Sequence, residues 1–483
     1  PDPQEVESSE LLYLYGRHLA QYKHGTYRAE DYYREALKRC PEDYRSNLEM
    51  GKLETEKGNF AQAHDYLKAA IHRLTVKNTS PQDSEIYYQM GRLLRLQGKS
   101  EEAYGYFRAA AWQYAYRSPA YFESACISSG DGCRERAVSE LREALSTNTR
   151  FYAARTLLGY LTKDAQLLRQ NLKEFPLDGS AQYALFLLTG EAVDESFRQN
   201  PQEVLEAALL FRKAGLKEEA IKILKDCSRP SLNLLFHIEE LTGEKAGEAS
   251  LSYYMPNRLE DISALSREDW RAQYLLGCLY YARENYEAAA KAFHKSLEGN
   301  DRFGYTWRNL AIACYDHLGQ KEASLPYMRK ALTLNPDDAR LVYELMQLEK
   351  AENLSISVRT ALTDTYRTQV IRRDDAWLDA IILRMLSGSY EEAAKMLQEK
   401  SFHIYEGGEG KLTKYHRWLH ILMAAEKIAQ KDYTAAGELF DQALIYPSNY
   451  GEGKGFLEQD ANVYYFAGLL REKTGKEEEA KRF

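Results

Sequence analysis

His416 and His420 stand one helical turn apart, so on a helix they share a face. Zinc hydrolases place two histidines at that spacing to hold the metal, with a glutamate after the first to activate water. Here Arg417 follows His416, Trp418 lies between the pair, and no third ligand stands nearby. Packing histidines are the expectation. The glycine-rich segment 402–411 raises a second possibility, a phosphate-cradling loop. Such a loop reads G-x-x-x-x-G-K-[ST] after a strand, with the hydroxyl on magnesium. Tyr405 occupies the first glycine position and Leu412 follows Lys411, and no strand pattern precedes. An ordered structural loop is expected, able at most to hold an anion weakly through backbone N–H groups and Lys411.

Cys314 and His317 make a similar pair, but a cysteine nucleophile needs a base, an orienting group and a pocket. Cys314, like Cys278, reads as a small residue between helices. Carboxylates cluster at Glu101–Glu102 and Glu477–Glu479, in first helical turns, where they favour the helix dipole and remain solvated. No facing carboxylate pair of the glycosidase kind is singled out. The sequence therefore predicts no catalytic residue, no metal and no cofactor.

What would position any of these groups is a helical framework. The chain has 483 residues, 44% hydrophobic and 28% charged, with 12 prolines and 37 tyrosines. That length exceeds one ordinary core, but a solenoid escapes the limit because each repeat packs only on its neighbours. A net charge of −8 without a basic stripe argues against nucleic acid. No run approaches the ~20 apolar residues that span a bilayer. Six cysteines, at 40, 126, 133, 227, 278 and 314, form no CxxC pair and read as reduced thiols of a cytoplasmic protein. The chain opens on Pro1-Asp2-Pro3 and stops at Phe483 inside a helical pattern, and so reads as a fragment whose targeting signals lie outside it.

A register of small and large residues recurs along the chain. Trp270 opens a helix, and Gly277 is followed by Ala289 and Phe293. Gly51 is followed by Ala63, Leu67 and Ala70, and Gly91 by Ala103, Phe107 and Ala110. Ala125 precedes Ala137, Leu141 and Ala144, and Ala208 precedes Ala220, Leu224 and Cys227. Ala424 precedes Ala436, Phe440 and Ala443; Gly468 precedes Ala480; Trp377 opens a unit carrying Ala393 and Leu397. Small residues let two helices cross closely while large ones fill the groove beside them. Glycines at 58, 98, 132, 215, 319, 388 and 475 sit where helices reverse, and prolines at 41, 81, 230, 336 and 447 close units.

This pattern resembles the tetratricopeptide repeat superfamily over residues 10–150, 203–230, 270–337 and 374–483. The resemblance implies an all-α superhelical solenoid of roughly 12–14 helical pairs, at the repeat length of about 34 residues. Stretches 151–202, 231–269 and 338–373 keep helical periodicity but blur the register. The expected organisation is an N-terminal sub-array at 1–230, a degenerate helical connection at 231–269, and a C-terminal sub-array at 270–483 with glycine-rich loops at 402–411 and 446–455. Both loops contain Gly-Glu-Gly-Lys and flank the helical pair 414–445, which places them near each other. These final segments are similar to the last repeats of bacterial multidomain proteins that carry a mutarotase-like domain before a long repeat array. That resemblance implies a C-terminal array of a larger protein concerned with carbohydrate.

In tetratricopeptide proteins the first helix of each pair lines a concave face. Carried onto this sequence, that implies groove positions at Arg45, Lys52, Glu85, Tyr88, Arg92, Arg95, Arg271, Tyr274, Tyr281, Tyr305, Arg308, Asn462 and Tyr465. Tyrosine and arginine are frequent anchors in recognition. Asn309 is a lone candidate for an asparagine ladder, unrepeated in neighbouring units. The expected function is a non-catalytic scaffold that binds a protein, a peptide or its own missing domains. The alternative is an accessory module of a carbohydrate-active enzyme, binding saccharide or supporting the catalytic domain.

Overall fold

The computed structural model describes residues 1–79, 83–251, 255–456 and 458–480, with the side chain of Glu479 excepted; Pro81 lies outside them. The regular elements of the described residues are all helices, without a strand. They form two compact units, 1–301 and 302–483. The first unit contains the pairs Ser9–Tyr22 with Ala29–Arg39, Tyr44–Glu56 with Phe60–Thr75, Glu85–Leu96 with Ser100–Ala110, and Tyr114–Gly130 with Arg134–Thr147. Tyr152–Thr162 with Ala165–Glu174 and Gly179–Thr189 with the single turn Glu195–Arg198 come next. Then follow Pro201–Lys213 with Lys217–Lys225, Leu232–Thr242 with Asp261–Leu265, and Trp270–Ala282 with Tyr286–Gly299. The second unit runs from Gly304–Asp316 with Lys321–Leu334 to Ala461–Lys473 with Glu477–Ala480.

The register read from the sequence is the packing rule of these pairs. A Cβ added to Gly51 would lie 2.6 Å from Leu67 Cγ, one on Gly91 2.7 Å from Phe107 Cε1, and one on Gly277 2.4 Å from Phe293 Cε1. The first helix must be bare where the large residue of the second crosses it. Leu67, Phe107, Leu141 and Phe293 are fully buried, as are Ala63, Ala103, Ala137 and Ala289 on the same helices. At about 25 cal/mol per Å² of apolar surface, each such side chain supplies roughly 1.5–3 kcal/mol of burial. Gly16 obeys the same rule against Tyr33, although the sequence register did not include it.

Turns follow the glycines. Gly58, Gly98, Gly132, Gly215, Gly319, Gly388 and Gly475 all have φ between 65° and 79°. At Gly215 the absent Cβ also matters, since one there would fall 2.2 Å from the Cα of Gly130. The turn of one pair therefore rests directly on the turn of another pair far along the chain.

The blurred stretches have short or broken second helices. Only Glu195–Arg198 follows Gly179–Thr189, and the second helix after Ala339–Ala351 is divided into Ile356–Thr365 and Arg367–Val370. In the stretch expected as a helical connection, Leu232–Thr242 is a regular helix, and irregular chain then leads to Asp261–Leu265. All of this stretch falls inside the first unit.

Candidate functional site

In the first unit the turns between paired helices converge on a cavity of about 1080 Å³. Its wall comes from the end of the helix at Glu56, from Arg92 and Arg95, from Glu123, Cys126 and Gly130, and from Arg212, Lys213 and Gly215. Residues 257–260, Ile262, Ser263 and Arg283 also line it. Basic side chains gather there because they sit in last helical turns, where a cation favours the dipole. Arg95, Arg212 and Lys213 are such residues.

The lining is a mesh of ion pairs. Glu56 receives Arg92 at 3.2 Å and Arg283 at 2.6 Å. Lys213 pairs with Glu123, whose side chain is only 6% exposed. Burial opposes the Lys213 charge, but the Glu123 carboxylate outweighs it and holds the ammonium above its ordinary pKa. Arg95 donates to the Lys213 carbonyl at 2.7 Å and so braces that lysine's backbone. Arg212 grips Glu240 with both terminal nitrogens at 2.8 Å, and Arg258 pairs with Glu206.

Buried Asp261 holds the irregular part of the wall. Its carboxylate accepts from the backbone N–H groups of Asn257 and Arg258, from Asn233 Nδ2 at 3.1 Å, and from His237 Nε2 at 2.7 Å. Burial pushes this carboxyl up, but His237 and the backbone donors outweigh that, and it titrates below the usual carboxylate range. The irregular segment before Asp261 is thereby tied to helix Leu232–Thr242, which carries Asn233 and His237.

The groove positions inferred from the sequence separate. Arg92 and Arg95 line the cavity. Tyr88 stands behind them, its ring 5.8 Å from Phe107 and 5.4 Å from Tyr116. Arg45 is held by Glu10 at 2.6 Å over the Tyr13 ring, and Lys52 by Glu49 and Glu85 at 2.9 Å each. Arg271 pairs with Asp269, Tyr274 is 7% exposed against Phe293, and Tyr281 meets Tyr286 edge-on. In the second unit Tyr305 donates to Asp338 at 2.9 Å and Arg308 pairs with Glu344, while Tyr465 is 61% exposed.

The two glycine-rich loops of the second unit do meet. Phe402 N donates to the Asn449 carbonyl at 2.8 Å, and Asn449 Nδ2 donates to the carbonyls of Leu397 and Lys400. Gly410 N–H, at the start of helix Lys411–Ala429, donates to the Glu452 carboxylate at 3.0 Å. The chain's own carboxylate thus takes the backbone donor that a bound anion would use. His416 is buried, with Nε2 at 3.1 Å from the Gln442 carbonyl and Nδ1 at 2.9 Å from the Tyr450 hydroxyl. Burial, then His420 beside it, pushes its pKa down to about 4. Both rings are packing elements, and no group of three metal-ligating side chains occurs among the described residues. Cys314 is buried, and burial raises its thiol pKa.

Glu56, Glu123, Lys213, Arg258 and Arg283 were not singled out in the sequence. Glu123 did leave a signal: it interrupts the otherwise small and apolar run Tyr121 to Cys126 on a helix buried over much of its length.

The family model for the tetratricopeptide repeat matches residues 48–119 and 263–339, and the chain carries repeats of that kind in these segments. Among solved structures the chain is similar to yeast Tom70, at 13% identity over 97% of this chain and 96% of that one, with TM-score 0.25. It is also similar to the Cut9-Hcn1 hetero-tetramer of the APC/C, at 13% identity over 98% and 92%, with TM-score 0.27. YrrB, a tetratricopeptide protein with an unusual peptide-binding site, matches at 18% identity over 42% and 86%, with TM-score 0.24. No helix among the described residues is long and apolar enough to cross a membrane.

Proposed function

We propose that the chain is a non-catalytic repeat scaffold that binds a segment of polypeptide in the cavity of its first unit. The observation that carries this is the cavity's size together with its chemistry. At about 1080 Å³ the cavity stands at the upper end of the range of roughly 300–1,000 Å³ usual for small-molecule pockets, and its wall is charged in both signs. Paired side chains such as Arg92 with Glu56 can exchange partners with the charged side chains and carbonyls of a polypeptide without leaving an ion unpaired.

A saccharide-binding module would instead present aromatic faces, and the aromatic residues in the cavity wall are Phe60 and Phe122. One observation favours this second reading at another place. Trp112, in the turn before helix Tyr114–Gly130, and Tyr114, its first residue, are 84% and 73% exposed.

Binding to peptide and glycan arrays by the wild type, by Arg92→Ala/Arg95→Ala and by Trp112→Ala/Tyr114→Ala separates the two. Peptide binding lost only in the arginine variant supports the scaffold. Glycan binding lost only in the aromatic variant supports the carbohydrate module.

A further inference from the structure

Residues 56–59, at the end of helix Tyr44–Glu56 and in the turn after it, touch residues 280–285, at the end of helix Trp270–Ala282 and in the turn after it, although more than half of the first unit separates them in sequence. Asn285 Nδ2 donates to the Lys57 carbonyl at 3.0 Å and to Asn59 Oδ1 at 2.7 Å. Arg283 donates to the carbonyl and the carboxylate of Glu56. Arg28 reaches Glu284 at 3.4 Å. Gly58 lies at the centre, where an added Cβ would stand 3.1 Å from both Ile262 Cδ1 and Tyr280 Cε1. Several of these groups, Glu56, Ile262 and Arg283, are also cavity wall.

We propose that this contact is a polar clasp that closes the first unit on itself and gates its cavity. Three features support a clasp over a fixed core contact. Its bonds are polar, and its ion pairs are partly exposed, with Glu56 and Glu284 side chains 49% and 59% exposed, around a buried Asn285. Exposed ion pairs of this kind hold weakly and yield to salt. It also joins neighbours in space that a linear repeat array does not require to meet, so it can part while every helical pair keeps its own core. Finally, Asn285 has a second duty independent of closure: its Oδ1 caps the next helix by accepting from Ala288 N at 3.3 Å.

That double role supplies the test. Asn285→Asp keeps the cap acceptor but turns the donor toward Lys57 into a carboxylate facing a carbonyl. Combined with Arg283→Gln, it removes the hydrogen bonds and ion pair to residues 56–59 and leaves the helices capped. Spin labels at Gln62→Cys and Glu287→Cys, both exposed positions beyond the turns, report the separation, with Cys40, Cys133 and Cys278 changed to Ser. The full chain is measured by pulsed electron paramagnetic resonance without ligand, so failure here is distinct from failure of the binding reading. The expected result is one narrow distance in the clasped protein and an added longer population in the variant, at unchanged helical circular dichroism. If the variant fails to fold, the clasped protein in rising salt, to about 1 M, gives the same readout, since ion pairs are then screened within about 3 Å. A distribution that neither the variant nor salt changes would overturn the clasp, as would a broad distribution in the clasped protein.

Discussion

Gly277 and Phe293 approach so closely that a methyl group on the glycine would overlap the ring, 2.4 Å from Cε1. Both lie on the pair Trp270–Ala282 and Tyr286–Gly299, and Phe293 is fully buried. Gly277→Leu must therefore force the crossing apart, at a cost of about 1–3 kcal/mol or more. Urea unfolding of the two proteins measures it. Equal midpoints would show that the register does not set the crossing. Gly277→Ala should cost less, and adding Phe293→Leu should recover part of the loss, because Ala125 and Ala208 sit at the same register before Leu141 and Leu224.

Lys213 and Glu123 form a second coupled pair. Lys213→Ala leaves the nearly buried Glu123 carboxylate without its cation, and should destabilise the first unit by about 2–3 kcal/mol. This is below the 3–5 kcal/mol of a fully buried pair because Lys213 is 35% exposed. Adding Glu123→Gln should restore most of the stability. Thermal unfolding of the single and double variants checks this; two losses that simply add would mean the residues are not coupled.

His416 gives the second unit a pH dependence. Its folded pKa, about 4, lies below the ordinary value of 6.5, so the neutral ring is the form the fold accepts. Its contribution is complete above pH 6.5 and is lost as pH falls toward 4, by up to about 3 kcal/mol. Denaturation midpoints across that interval should fall more steeply for wild type than for His416→Gln, which cannot titrate. Parallel curves would contradict the assignment.

Asn449 ties its loop to the chain entering loop 402–411, through the carbonyls of Leu397 and Lys400. Asn449→Ala should cost about 1–2 kcal/mol, since two part-buried acceptors lose their donor. Limited proteolysis should then cut within 402–411 sooner than in wild type. Unchanged cleavage would mean the loop is held by other contacts.

The sequence carried the helical pairs because their packing is local. Gly91 and Phe107, or Gly51 and Leu67, lie on consecutive helices at a fixed separation, so one repeat contains the whole contact. The turn glycines, such as Gly58, were legible for the same reason. The cavity was not, because its wall joins Glu56, Lys213, Arg258 and Arg283, which only the curvature of the first unit brings together. That curvature depends on contacts such as Gly130 on Gly215, between turns of separate pairs, and a repeat pattern holds no record of them. Positions inferred from a regular concave face thus place Arg92 and Arg95 at the cavity, while Arg45 and Lys52 are held in ion pairs elsewhere.

Polypeptide is proposed to enter the cavity of the first unit. A photo-crosslinking amino acid placed at Ser100, which lines it, tests this most directly, with the same group at exposed Trp112 as a control outside the wall. Peptides of acidic, basic and neutral sequence, and glycans of matched size, are offered to both proteins. Peptide adducts are expected at position 100, reduced at least about tenfold by Arg92→Ala/Arg95→Ala, a loss equivalent to about 1.4 kcal/mol. Peptide adducts only at position 112, or glycan adducts without peptide adducts, would contradict it.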